Sequence, residues 1–490
     1  MLFLLWFASG IVMTFRGYPE VSRAEQLARS SLLSLSRDLP PLADLPLGTA
    51  SARGPARLVG IEGRFAWVVE GAHGSRLHDA RSGLRMDPLD PLAPWAAEQA
   101  NAWREEPARL EAQSVLETPD QWTLAPRLRP HFPLVRLTFN DGLRTHVYVS
   151  TRSGEVVQRT TWPSRTWAWA GAIPHWIYPA CLVRLRGLWR HVVMWLAGAG
   201  MIVCVSGLLQ GIWLWRPWNP YLGRGGRASS LPYRKTLFRW HHLLGLAFGM
   251  LSFTFVTSGL LSLHPFSWSQ EPRPEALVRL LEEAEHIPWA RATLPPERAL
   301  TACRRELTVA GLRLVGVGGQ PYFLCESSSG DSLVVSAVEG DTRTARRHFA
   351  IDEVLQSRVL RAGRVSLLAA PDAYHRTRHD EPHLALPVAR VTFTDPADTW
   401  SYFDLRTGQH VSSWGRRKRL ERWLYNGLHS FDLPALYTRR ALWQAVIVGA
   451  CVGGGALAAT GTWLAVRRGH RGFRRARRRA PRAGRARCES

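Results

Sequence analysis

The sequence predicts an integral membrane protein: a four-helix transmembrane bundle, its first helix truncated in this chain, carrying two extracytoplasmic α/β domains and built as an internal two-fold repeat. Three observations lead there. Three long apolar runs carry no Asp, Glu, Lys or Arg, basic residues cluster in short stretches beside those runs, and a segment beginning at Arg136 recurs from Arg390.

The charge-free runs are Val192 to Trp215, Leu243 to Leu263 and Ala441 to Val466. At 1.5 Å per helical residue each is long enough to cross roughly 30 Å of hydrocarbon. A fourth run, Leu2 to Phe15, is equally apolar but shorter than a usual span. It lacks the basic flank and the small-residue cleavage site of a signal peptide. The chain of 490 residues is 46% hydrophobic and carries a net charge of +24. Much of that charge sits in two places, Arg216, Arg224, Arg227, Arg234, Lys235 and Arg239 in the short connection between two apolar runs, and the arginine-rich tail after Val466. That distribution fits cytoplasmic anchors contacting anionic membrane lipid and gives no support to a nucleic-acid partner. The chain therefore divides into a truncated first transmembrane helix (1–16), an outer domain (17–187), a second helix (188–215), a basic cytoplasmic loop (216–236), a third helix (237–263), a second outer domain (264–440), a fourth helix (441–466) and a basic cytoplasmic tail (467–490). Arg416, Arg417, Lys418 and Arg419 then lie outside against the positive-inside rule, which long loops obey weakly.

The recurring segment, "RLTFNDGLRTHVYVSTRSGEVV" and "RVTFTDPADTWSYFDLRTGQHV", aligns without a gap at an offset of 254. The same offset pairs His175 with His429, Trp189 with Trp443 and Gly207 with Gly461, so the register continues into the following membrane helices. Before each outer domain, Trp6-Phe7-Ala8-Ser9-Gly10 falls over Phe255-Val256-Thr257-Ser258-Gly259 at an offset of 249. The counterpart of "RWHHLLGLAFG" then falls before residue 1. Upstream coding sequence is expected to supply an arginine-rich stretch and a histidine, unless this copy lacks the anchor its twin keeps.

Within the outer domains, alternation in "LVRLTFNDGLRTHVYVSTRSGEVVQ" predicts two strands joined at an Asp-Gly turn, with "RSG" and "RTG" marking the next turn in each copy. Arg23 to Arg37 and Pro274 to His286 have helical spacing, and "RDLPPL" and "PLADLPLG" read as boundaries. Each domain is expected to hold one antiparallel sheet. Cys303 and Cys325 share the second outer domain, where an oxidising compartment allows them to pair. No Cys-x-x-Cys-His, H-E-x-x-H, G-x-S-x-G, Walker loop or dinucleotide fingerprint in context supports a c-type haem, protease, hydrolase, nucleotide or flavin site. His375, His379 and His383 with Asp380 and Glu381 form a polar cluster read as a solvated loop or a docking place for an iron complex.

"WHHLLGLAFG" followed by "TSGLLSLHPF", "WFASGIVMTF", and "WLYNGLHSFDLPALYTRRALW…TGTWLAVRR" resemble the membrane helices of the PepSY-associated transmembrane (PepSY-TM) family of bacterial inner membranes, and the recurring segments resemble its PepSY modules. The resemblance implies periplasmic outer domains. In the family's di-haem branch it implies two b-type haems, one near each membrane face, passing electrons from a cytoplasmic or quinol donor to ferric iron or a ferric siderophore. This would make the chain an oxidoreductase of iron uptake. A second reading is a non-redox protein whose PepSY modules bind peptides or restrain a partner enzyme.

Haem in such a protein takes two neutral imidazoles from different helices. At the inner end His241 and His242 are adjacent and point about 100° apart on one helix. His241 is favoured, because Gly245 lies one turn on and matches the family's H-x-x-x-G. At the outer end His175 and His429 occupy equivalent positions, with His191 and His264 as substitute ligands that lack a repeat partner. The G-x-x-x-G patterns at Gly207, Gly245 and Gly449 fit close helix contact or haem clearance.

Overall fold

Three helices are long and apolar enough to cross a membrane, Gly187–Leu214, Thr236–Leu261 and Arg440–Arg471, the last running on through the basic stretch to Arg479. Leu2–Phe15 is a shorter apolar helix. The structure is a computed structural model, and it describes every residue except 31–38, 47–53, 72–73, 105–107, 223–227, 341–344, 377–385 and 480–490. The four helices pack in the sequence first on fourth, fourth on third, third on second. Trp195, Ile202, Leu209 and Trp213 line one exposed stripe of the second helix, at spacings that keep them on a single face. Glycines admit aromatic rings at the helix crossings: a Cβ at Gly453 or Gly454 would run into the rings of Phe248 and Phe7.

The expectation of one sheet per outer domain needs correction. Each segment builds a four-stranded antiparallel sheet of its own, Leu110–Leu116 through Val156–Thr160 in the first and Gly363–Leu368 through Gln409–Trp414 in the second. Each also gives three strands to a shared six-stranded sheet. The seam of that sheet is strand Ala56–Ile61 against Gly311–Val317, with Arg57 directly opposite Arg313. The two strands share one tetrapeptide, Arg57-Leu58-Val59-Gly60 and Arg313-Leu314-Val315-Gly316, a recurrence at an offset of 256 that sequence reading missed. Alternation explains the packing. Val135, Leu137 and Phe139 face Val59, Ile61 and Val68 of the shared sheet, while Val391, Phe393 and Phe403 face Val315, Val317 and Leu324.

The predicted Asp-Gly turn is longer than a two-residue hairpin. Strands Leu134–Phe139 and His146–Ser150 are joined through a bend in which Arg144 takes the left-handed backbone and Asp141 accepts from the Thr145 amide at 2.7 Å. The same features recur 254 residues on, with Asp398 left-handed and Asp395 accepting from the Thr399 amide at 2.7 Å. The "RSG" and "RTG" turns form where expected, with left-handed Gly154 and Gly408. Pro274 to His286 contains helix Glu275–Glu285, whereas the helix begun at Arg23 ends at Ala28, capped at Arg29, short of the expected Arg37; 31–38 lie outside the described residues.

The basic cluster in the second outer segment has a structural role. Arg419 is buried, donates to the Asp398 and Trp414 carbonyls at 2.5 and 2.9 Å, and lies over the Trp400 ring. Its counterpart Arg165 donates to the Arg144 and Thr160 carbonyls at 2.8 and 3.3 Å.

Cys303 and Cys325 are free thiols, buried together in the core on one face of the shared sheet. Hydrogen bonding to Cys303, with burial, pushes the Cys325 thiol well up, so it is not poised as a nucleophile at neutral pH. Adjacent thiols are placed to oxidise wherever the compartment is oxidising. Protein recovered from an oxidising compartment is expected to resist alkylation at both positions and to lose about 3 kcal/mol of stability on reduction. Full labelling of both without reductant counts against the pairing.

Candidate cofactor-binding site

Two short helices bring a histidine each to the domain-facing end of the bundle. His175 lies in Ala172–Trp176, and His429 in Leu428–Ser430, which follows a π-helical turn at Trp423–Gly427. In both places the residue two further on, Ile177 or Phe431, takes a left-handed backbone that ends the turn. Tryptophan pins the approach: Trp189 donates to the Trp176 carbonyl at 3.3 Å and Trp443 to the Ser430 carbonyl at 2.7 Å.

The ring nitrogens are held alike. His175 Nδ1 lies 3.2 Å from the Trp6 carbonyl and 3.1 Å from Ser9 Oγ. His429 Nδ1 lies 3.0 Å from the Phe255 carbonyl and 3.1 Å from Ser258 Oγ. Both serine hydroxyls donate their proton to helix carbonyls, Ser9 to Leu5 at 2.7 Å and Ser258 to Phe255 at 3.0 Å. A carbonyl only accepts, so each Nδ1 must carry the hydrogen and each Nε2 keeps its lone pair.

The two rings face each other, with centroids 5.9 Å apart and planes at 69°. Both residues are partly buried. Burial first, then the charge of His429, lowers His175 to about 4, and burial lowers His429 as well. Both imidazoles are therefore neutral at pH 7. Gly10 and Gly259 lie against the rings, and a Cβ added at either would stand in ordinary van der Waals contact with the respective Cε1 atom, at 3.4 and 3.5 Å. Tyr425 stacks on His429 at 5.4 Å, and Phe255 packs beside it at 5.7 Å. Two neutral imidazoles with free Nε2 atoms can hold one metal centre between them. A metal roughly 2 Å from each nitrogen keeps the ring centroids roughly 6 Å apart, close to the spacing here.

At the far end, His241 Nδ1 lies 3.0 Å from Thr460 Oγ1, whose hydroxyl donates to the Ala456 and Leu457 carbonyls at 3.0 and 2.9 Å. The same reasoning leaves the His241 Nε2 lone pair free. The Cε1 of His241 comes within 3.0 Å of a Cβ built at Gly461. His242 is buried elsewhere, 5.6 Å from Tyr233, with no hydrogen-bond partner on Nε2.

Neither substitute ligand joins the pair. His191 is exposed and bonds its own helix at the Gly187 carbonyl, 2.6 Å away. His264 turns to Ser269 Oγ at 2.9 Å and Glu421 at 3.4 Å. His375 is buried and stacked on Tyr402 at 5.5 Å, while His379, Asp380, Glu381 and His383 lie outside the described residues. Among the described residues no group of three or more His, Cys, Asp or Glu draws together to hold a metal ion. Sequence reading missed Ser9, Ser258 and Thr460 as partners of the histidines. The alignment of Ser9-Gly10 over Ser258-Gly259 is the signal that could have found the first two. No protein-family model and no curated protein matches this sequence.

Proposed function

We propose that this chain is a membrane-embedded electron-transfer protein of the PepSY-TM type that binds b-type haem and reduces ferric iron or a ferric siderophore on the outer face of a bacterial inner membrane. One observation carries the reading: His175 and His429 face each other as neutral imidazoles with their Nδ1 hydrogens committed and both Nε2 lone pairs free. When bound, haem b supplies a one-electron couple that can carry charge across the apolar bundle. The protein's part is to hold and tune it. His175 and His429 would hold it near the outer face, and Trp6, Ser9, Phe255 and Ser258 fix the orientation of the two rings by hydrogen bonds. His241, oriented by Thr460, is the ligand this chain offers near the cytoplasmic face.

Two further parts belong to the proposal. The recurrence of the Arg165 and Arg419 bonds, of the left-handed pairs and of the histidine settings supports an internal two-fold repeat, with Leu2–Phe15 as the fourth member of the bundle. The basic connection from Arg216 to Arg239 and the arginines beyond Val466 support a cytoplasmic location for those segments and a periplasmic one for the sheets.

The test is an absorption spectrum of the purified full chain before and after dithionite, with pyridine hemochrome to count haem. A reducible b-type spectrum is expected. Protein isolated without haem, and unable to take it up, would transfer the assignment to a non-redox PepSY protein that restrains a partner. His241→Ala is expected to lower haem near the cytoplasmic face and leave the outer site filled, while His242→Ala changes haem content less. Equal loss in both variants would overturn the choice of His241.

A further inference from the structure

A second cleft lies where the third membrane helix gives way to the second outer domain. It encloses about 380 Å³ between the loop after Leu261 and helix Arg416–Arg422, and its walls carry His264, Glu271, Arg273, Thr399, Lys418 and Glu421. Cations and carboxylates share this small volume. Several of them are already oriented: Lys418 Nζ donates to the Ser413 carbonyl at 2.9 Å, Glu271 accepts from the Arg417 amide at 2.9 Å, and Glu421 stands 3.4 Å from His264.

The turn that leads into the cleft is strained. His264, Phe266 and Ser267 all take left-handed backbone, a conformation that side chains other than glycine rarely adopt. The result holds Phe266 out with 96% of its surface exposed, five residues after a membrane-spanning helix ends. An aromatic ring so placed gains burial in the headgroup layer of a bilayer, where aromatic side chains concentrate.

The first half of the chain does not duplicate this chemistry. At the offset of 254, Ser164 and Trp167 stand where Lys418 and Glu421 stand, and at 249 Gly17 stands where Phe266 stands. The cleft is thus a feature of one half only and is separate from the histidine pair.

We propose that this cleft binds the zwitterionic headgroup of a phospholipid, a phosphate beside a primary ammonium, with Arg273 and Lys418 receiving the phosphate, Glu421 and Glu271 the ammonium, and Phe266 embedded among the acyl chains. The choice of a zwitterion follows from the mixed charge, because a purely anionic headgroup would bring no cation to the two carboxylates. The lipid as source follows from Phe266 and from the position of the cleft beside the end of a span. This assignment does not depend on the haem reading.

Native mass spectrometry of the full chain in detergent, titrated with short-chain phosphatidylethanolamine, phosphatidylglycerol and soluble glycerophosphoethanolamine, tests it. Phosphatidylethanolamine is expected to bind at least tenfold more tightly than either of the others. Arg273→Ala with Lys418→Ala should weaken that binding tenfold or more. Glu421→Gln should erase the preference over phosphatidylglycerol, and haem content should not change in any of these variants. Equal binding of the two lipids by the parent protein, or no effect of the double substitution, would overturn the site. Equal affinity for glycerophosphoethanolamine would overturn the lipid as its source, and Phe266→Ser with undiminished lipid binding would remove the aromatic from the proposal.

Discussion

On the proposed haem assignment, His429→Ala is expected to cut haem per protein by about half, one of two proposed sites, while the site near His241 stays filled. The side chain does three things that alanine cannot. It supplies an Nε2 lone pair on a ring centred 5.9 Å from that of His175, it donates Nδ1–H to the Phe255 carbonyl at 3.0 Å, and it stacks on Tyr425. His175→Ala should give the same phenotype, because a metal that would be held by both imidazoles loses one ligand in either case. Ser258→Ala probes orientation separately. It leaves the ligand in place and removes one acceptor of Nδ1–H, so affinity should fall by roughly 10–100-fold, the range typical when a partner of a metal-binding histidine is lost. His191→Ala serves as the control, since that ring bonds only its own helix. The measurement is pyridine hemochrome with reduced spectra for each variant. Unchanged haem in both His429→Ala and His175→Ala would refute the ligand pair. Because burial already holds both rings neutral at pH 7, no proton has to leave Nε2 for binding.

The parts of this architecture that local chemistry decides are legible in the amino-acid sequence. A run without charge, such as Leu243 to Leu263, has one stable solution in hydrocarbon, a helix. The alternation through Leu134 to Phe139 likewise has one solution on a half-buried sheet. The pairing of His175 with His429 is also within reach, because the offset of 254 that aligns the recurring segments aligns these two histidines as well. What escapes depends on long-range pairing. Strand Ala56–Ile61 could have ended a sheet in its own domain, and nothing in its alternation specifies Gly311–Val317, at an offset of about 256, as its neighbour. The serine partners escape for another reason. A mid-helix serine ordinarily bonds its own backbone, as Ser9 does to Leu5, and its second role as acceptor appears only when a ring arrives from elsewhere.

The shared sheet leads to the second large effect, at a residue far from the histidines. Glu155→Ala is expected to destabilise the outer domains by about 3–5 kcal/mol, the cost of removing one member of a buried ion pair. Glu155 follows the left-handed Gly154 and points into the seam between the first four-stranded sheet and the shared sheet. There Arg57 grips it through Nε at 2.9 Å and Nη2 at 2.6 Å, and Arg23 adds a contact at 3.9 Å while holding Glu326 at 2.7 Å. Arg57 also pairs with Glu70, and it stands opposite Arg313, which lies 3.6 Å from Glu326. The carboxylate thus neutralises Arg57 beside the strand pair that joins the shared sheet; without it Arg57, only 12% exposed, keeps its charge with its best partner gone. Burial alone would raise the Glu155 carboxyl, but the Arg57 charge and hydrogen bonds outweigh it and hold the group below the usual carboxylate range. A depressed carboxyl contributes stability that is complete above the unfolded value of about 4.3 and is lost as pH falls through the folded value. The parent protein should therefore weaken below about pH 4 by a component that Glu155→Ala lacks. Arg57→Met combined with Glu155→Leu removes both charges and fills similar volume, and it should recover most of the loss, since an apolar replacement of a buried pair is often neutral. Thermal unfolding followed by tryptophan fluorescence at about pH 7 and about pH 3 reads all three proteins. A Glu155→Ala protein within about 1 kcal/mol of the parent at pH 7, or a double variant no better than the single, would show that the seam is held by its apolar faces and not by this carboxylate.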